Sequence, residues 1–414
     1  MATLIPFKAL RPYRRFVTQV ASHPYDVPEE NEARKIGERN PTSFLHVEKS
    51  EIDLPPKTDP NDDRVFASAK KNLDRLIREG ILFQEKKPCF YVYGQKKGDH
   101  SQYGIVGGVS IAEYDSGRIK KHESIRPDKE GERIRNIDAT DANTGLVLLV
   151  YSAREAIDRV VDEIIREDPE YDFVFDNGVR QLVWVVSDEK RIESLKDEFL
   201  KVNGLYIADG HHRVAAAAAV AKMRSGKNPG HKGTEGYNYF VGALFPHRQV
   251  RIMDYNRVVK DLNGLSEEEL IRRIQEHFSV IPDFKDKSPT KPHEFGMYLK
   301  GNWYRLQLKG DHHGQRDLIE RLDVWLLQNL LLKPVLGIQD PKTDKRIKFI
   351  GGIRGVAELE RHVDSGEYVV AFSMYPPTIK ELMDIADSGQ IMPPKSTWFE
   401  PKLLSGMLVH LLRD

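Results

Sequence analysis

The chain has 414 residues, more than one ordinary core requires, so two or three packed units within one polypeptide are expected. Lysine plus arginine and aspartate plus glutamate both number 63, and this neutrality, without a clustered cationic face, argues against a nucleic-acid coat; no DNA partner is expected. The single cysteine, Cys89, excludes an intrachain disulfide and a cysteine-rich zinc site, and with no visible export signal and no apolar run near the roughly 20 residues that cross a bilayer, a cytoplasmic protein without membrane association is expected.

Residues 1–62 carry Pro24, Pro28, Pro41, Pro55, Pro56 and Pro60, a spacing that predicts an irregular wrapping arm. Arg64 to Gly80, with Val65, Ala69, Leu73 and Leu76 at three- and four-residue spacing, predicts a helix stopped by glycine. Strands follow over 89–93 and 103–114, then a helix over 127–142, an apolar strand over 145–151 and an amphipathic helix over 153–167. A strand over 181–186, a helix over 188–202 and a strand over 204–208 lead to Asp209-Gly210-His211-His212-Arg213, after which five consecutive alanines within 214–224 predict a helix ended by Gly226. Segments 239–245 and 249–253 read as a strand pair, and Ser266 with Glu269 opens a helix over 266–278 by a capping box. Further strands, a helix over 316–332, and a closing helix, strand, helix and proline-marked loop (355–364, 368–374, 378–388, 392–398) complete a mixed α/β order of the α+β class. The expected units are the arm, a core over 63–262 and a C-terminal α/β region over 263–414.

A strand that turns at Asp-Gly into a helix aims unpaired backbone N–H groups at one point, and that point attracts phosphate. Gly210 lets the backbone turn and approach a ligand, while His211, His212 and Arg213 add side-chain donors, with Arg213 able to grip oxygens in pairs. Asp209 can hold Mg²⁺ or orient a histidine, and His122-Glu123 offers a carboxylate as a general base. A transition-metal site joining His211 and His212 to His231, His247, His312 or His313 fits the spacing poorly, because no two of these histidines form a helical ligand pair. No GxxxxGK[ST] loop is present.

These residues resemble a family known only as a domain of unknown function, related to the ParB and sulfiredoxin superfamily. The resemblance covers nearly the whole chain and rests on Pro6-Phe7, Tyr25-Asp26-Val27, His122-Glu123, the segment Tyr206 to Arg213, Leu244-Phe245-Pro246, Tyr255 to Val259 and Met392 to Thr397. Within that superfamily the chain is similar to the archaeal ADP-dependent free-serine kinases. The resemblance implies a ParB/sulfiredoxin-like core with inserted and appended segments, and a phosphotransferase acting with Mg²⁺ and a nucleotide, ADP or ATP ahead of CTP, on a small hydroxylated metabolite. It further implies Glu123 as the catalytic base, Asp209 and the turn holding phosphates and Mg²⁺, and Lys395, Ser396 and Thr397 bordering the substrate and completing the site. The kinases continue with an Arg-His pair where this chain has Trp398-Phe399, so a substrate carboxylate needs another cation, such as Arg257. A phosphatase at the same site, or a ParB-like nucleotide switch without catalysis, are the alternative expectations. Sulfiredoxin chemistry is excluded, because the turn has no cysteine.

Overall fold

A computed structural model describes residues 2–310 and 317–413. The chain divides into two compact units, Met1–Val250 joined by Pro401–Asp414, and Arg251–Glu400.

The first unit is built on a nine-stranded mixed sheet. Its strands are β1 (Leu4–Ile5), β2 (Phe90–Lys97), β3 (His100–Ser110), β4 (Ile119–Lys120), β5 (Val147–Tyr151), β6 (Tyr171–Val174), β7 (Arg180–Val186), β8 (Leu205–Asp209) and β9 (Tyr239–Pro246), in the order β4-β8-β5-β9-β3-β2-β7-β6 with β1 against β3. The pairs β4–β8 and β5–β9 are parallel and the rest antiparallel. Every residue of β5 is buried, as expected of an apolar run covered on both faces. Helix α1 (Asp63–Arg78) is capped by the Asp62 side chain accepting from Arg64 N, and buries Val65, Ala69, Leu73 and Leu76, the stripe read from the sequence. Helix α2 (Pro127–Thr140) starts with proline at its first position, where no N–H is needed, and ends at Asp141 in the left-handed region. Helix α3 (His211–Lys227) buries Val214, Ala215, Ala216, Ala217, Val220 and Ala221.

The second unit carries a six-stranded antiparallel sheet of β10 (Tyr255–Val259), β11 (Phe278–Pro282), β12 (Glu294–Leu299), β13 (Asn302–Leu308), β14 (Ile347–Gly351) and β15 (Val370–Ser373), in the order β11-β13-β12-β15-β10-β14. The helix Val356–Asp364 packs its Leu359 and Val363 with Val258, Ile350 and Ala371. The mixed α and β order of the sequence is thus an α+β protein.

Several boundaries differ from the sequence expectations for identifiable reasons. The second unit begins at Arg251 rather than 263, because Tyr255–Val259 is an interior strand of its sheet. The final segment returns to the first unit, where His410–Leu411 pairs with Ala142–Asn143 and Val409 bridges Leu10. The arm contains a ten-residue helix, Glu30–Arg39, fitted between Pro28 and Pro41. Segments 239–245 and 249–253 do not pair with each other: β9 lies between β3 and β5, while Arg251–Met253 pairs with Trp398–Glu400. The helix opened by Ser266 stops at Ile274, since Phe278 enters β11. Helix α3 begins at His211, as the Asp-Gly turn predicts, but runs past Gly226 to Lys227. In the helix expected over 316–332, Asp323–Leu327 continues through a wider π turn, Gln328–Leu332, and Arg316 lies outside the described residues. Among the described residues no helix is long and apolar enough to cross a membrane.

Candidate functional site

Strand β8 delivers Asp209, and its pairing with β5 shifts register between Ile207 and Asp209, an irregularity that re-aims the last side chain of the strand. Gly210 follows at φ +99° as the N-cap of α3. A Cβ there would make ordinary contact with Val147 at 3.5 Å, so the left-handed backbone, not lack of space, requires glycine. Arg213 N and Val214 N close the first turn on Gly210 O at 2.9 and 3.1 Å. The helix start and the positive end of its dipole thus lie at His211 and His212.

His211 is only 2% exposed, and its ring meets that of His122 edge to face at 4.5 Å. The backbone N–H of His122 donates to His211 Nε2 at 3.4 Å, which places the ring proton on Nδ1. That Nδ1 looks at Glu123 Oε2 across 3.6 Å. Burial, reinforced by the neighbouring His122, holds His211 well below the ordinary histidine range. Burial likewise pushes His122 down to about 4, against the opposing pull of a backbone hydrogen bond at Ile207 and of Asp209. Both rings are therefore neutral near pH 7, and His211 acts as a neutral N–H donor rather than a cation. His212, half-buried, accepts from Arg126 N at 3.1 Å through Nε2.

The fixed charges come from elsewhere. Lys402 Nζ sits 3.0 Å from Asp209 Oδ2. Burial tends to raise the Asp209 carboxyl, but Lys402 and Arg213 prevail and hold it below the usual carboxylate range, so it is ionised at neutral pH. Arg213 turns inward: Nη1 donates to Leu146 O at 2.7 Å, and the guanidinium lies 5.5 Å from the Tyr25 ring, which also carries Arg133 at 3.9 Å. One edge of Arg213 is thus committed to the fold behind the turn.

The structure brings Glu123, Asp209, Gly210, His211, His212 and Arg213 together in the first unit. Arg257, Lys395, Ser396 and Thr397 fall in the second. There, Arg257 Nη2 donates to Lys395 O at 3.1 Å, Lys395 Nζ rests 5.5 Å from the Tyr255 ring, and Ser396 Oγ donates to Pro393 O at 2.6 Å. Trp398 and Phe399 are structural: they form the short strand pair with Arg251–Met253, and Phe399 is 3% exposed. Lys402 was not found by sequence reasoning, and no local signal marks it, since it lies 193 residues from its partner.

Among the described residues no group of three or more His, Cys, Asp or Glu side chains is placed to hold a metal ion. His231 instead pairs through Nδ1 with the Tyr237 hydroxyl at 3.0 Å, and His247 Nδ1 accepts from Ala153 N at 3.0 Å. His312 and His313 lie outside the described residues.

A family model described as a protein of unknown function (DUF1015) matches residues 4–325. No curated protein matches the sequence. Among solved structures, a free serine kinase in complex with AMP is similar at 14% identity, covering 71% of this chain and 86% of that one, with a TM-score of 0.36. A conserved hypothetical protein from Pyrococcus furiosus is similar at 15% identity, with 71% and 90% covered and a TM-score of 0.35. SbnI from Staphylococcus aureus, with a C-terminal truncation, is similar at 12% identity, with 72% and 85% covered and a TM-score of 0.37.

Proposed function

We propose, for a chain that belongs to the family described as protein of unknown function (DUF1015), a nucleotide-dependent phosphotransferase acting on a small hydroxylated metabolite. The observation that carries this reading is the Glu123 carboxylate 3.6 Å from His211 Nδ1, at the start of α3. A phosphate seated there would meet backbone N–H groups, the helix dipole and the Lys402 ammonium. Glu123, 45% exposed at its side chain, is open to a hydroxyl and would take its proton as the oxygen attacks the terminal phosphorus of ADP or ATP, whose bond to the rest of the nucleotide breaks to release AMP or ADP. The His211 N–H, 3.6 Å away, faces the carboxylate without protonating it, because the ring stays neutral. The resemblance of the Tyr206 to Arg213 segment to free-serine kinases supports the same reading, with ADP or ATP as the nucleotide.

Mg²⁺ is commonly held by one or two protein carboxylates together with the substrate's phosphates, and Asp209, ionised at neutral pH, fits that demand. Such an ion would neutralise phosphate charge. The test of the reading is Glu123→Gln: turnover is lost while nucleotide binding persists. Full turnover in that variant refutes it.

A nucleotide-binding protein without turnover is the second reading. The ion pair between Asp209 and Lys402 favours it, because an ammonium at 3.0 Å already engages the carboxylate that a metal would need. Phosphate release or transfer by the wild type, with any hydroxylated acceptor, would decide against this reading.

A further inference from the structure

Alternate residues of a strand point the same way, so β2 presents Tyr91, Tyr93 and Gln95 on one face, and all three are fully buried. Gln95 stands in register with Gln181 of β7 on one side and Gln102 of β3 on the other. Three buried amides therefore line up across three strands at one level. They bond in a row: Gln102 Nε2 donates to Gln95 Oε1 at 2.9 Å, and Gln95 Nε2 donates to Gln181 Oε1 at 3.2 Å. Gln181 Oε1 also accepts from the Tyr93 hydroxyl at 2.7 Å. A buried sheet face is ordinarily apolar, and this row carries a cost, because Gln181 Nε2 finds no hydrogen-bond partner. Stability alone does not account for it.

The row ends on a segment from far along the chain. Gln95 Nε2 also donates to Lys402 O at 2.9 Å, and the Tyr93 hydroxyl accepts from Leu404 N at 3.2 Å. Two side chains two residues apart on β2 thus hold two backbone groups two residues apart on the returning segment. Apolar contact has no direction and leaves a segment free to slide, whereas a hydrogen bond fixes which residue sits where. A slip of one residue would move the chain by about 3.8 Å, more than the 3.0 Å between Lys402 Nζ and Asp209 Oδ2. Lys402 is held at both ends, at its carbonyl by Gln95 and at its ammonium by Asp209.

We propose that Tyr93 and Gln95, braced by Gln181 and Gln102, are positioning residues that set the register of 401–404 and so place the Lys402 ammonium beside Asp209 for a ligand's phosphate. All four act through Lys402 and not on the ligand. An ammonium fixed in advance needs no rearrangement when phosphate arrives, whereas a free lysine side chain must first be ordered. The proposal rests on the phosphotransferase reading for the phosphate alone, since the register of Lys402 can be read without any ligand.

The test uses the full chain and two readouts. The first is the rate at which acetic anhydride acetylates individual lysines, followed by peptide mass spectrometry. Lys402 and Lys49 are matched for burial, 16% and 17% exposed at their side chains. Gln95→Met should speed Lys402 several-fold and leave Lys49 at the wild-type rate. The second is calorimetric titration with ADP. Gln95→Met should bind it about tenfold more weakly, and the double variant Gln95→Met/Lys402→Met no more weakly than Lys402→Met alone, because both routes lose the same ammonium. An unchanged Lys402 rate in folded Gln95→Met, equal acceleration at Lys49, or losses of ADP affinity that add, overturns the proposal. If Gln95→Met fails to fold, Tyr93→Phe, which removes one hydroxyl, gives the same two readings. Should the wild type bind no ADP, the phosphotransferase reading fails, while the Lys402 rate still decides whether Gln95 sets the register.

Discussion

In the first unit Asp209 meets Lys402 at 3.0 Å, and Arg213 is kept charged against burial by Glu48, Asp26, Tyr25 and Asp209. In the second, Arg257 meets a carbonyl oxygen and an aromatic ring and leaves Nη1 bare. The groups differ less than their surroundings do. Where charges of both signs are brought together, the protein has completed the electrostatics itself and what remains for a ligand is the helix start and the exposed Glu123. Where a cation is buried alone, its electrostatics is left incomplete, and the missing partner is the most informative feature of the region.

The comparison is broken most forcefully at Glu123. Glu123→Gln should lower turnover by on the order of 10²–10⁴-fold, the usual contribution of a general base, with nucleotide affinity unchanged by calorimetry. Equal losses of binding and turnover would make Glu123 a ligand contact instead.

A pH series tests the neutral histidines next. His122 is held at about 4 in the folded chain, whereas an ordinary histidine takes its proton near 6.5. The unfolded chain therefore binds a proton that the folded one refuses between those values. The stability is complete above 6.5 and falls by about 3 kcal/mol as the pH drops towards 4, with His211 acting in the same direction. Urea midpoints at pH 7 and pH 5 should show the fall, and His122→Gln should flatten it; an identical slope in the variant would remove His122 as the cause.

Smaller effects separate the two units. Lys402→Met strips Asp209 of its partner, yet Asp209 is 39% exposed at its side chain, so solvent screening limits the loss to about 1 kcal/mol in thermal unfolding. Arg257→Met removes a buried charge that has no counterion, and the midpoint should stay level or rise slightly. A drop of several kcal/mol would mean that Arg257 is fully satisfied by its carbonyl and ring, and the contrast between the units would disappear.

Much of this protein was legible in its residues. The stripe Val65, Ala69, Leu73 and Leu76, the cap at Ser266 with Glu269, and the turn at Asp209-Gly210 are local features, fixed by helical period, side-chain reach and the one residue type that accepts φ +99°. That is why the turn at Gly210 and the helix start at His211 followed from sequence. What the residues could not settle was which distant segments would meet. The unit boundary moved because β10 pairs with β14 and β15, and the short strand Arg251–Met253 found Trp398–Glu400 rather than β9. Lys402 reached Asp209 only because the chain returns to its first unit at Pro401. The inward turn of Arg213 and the solitude of Arg257 belong to the same class. A side chain's type decides what it can bind, but its charge state and its partners depend on burial and on neighbours supplied from far along the chain, and these exist only once the sheets have closed.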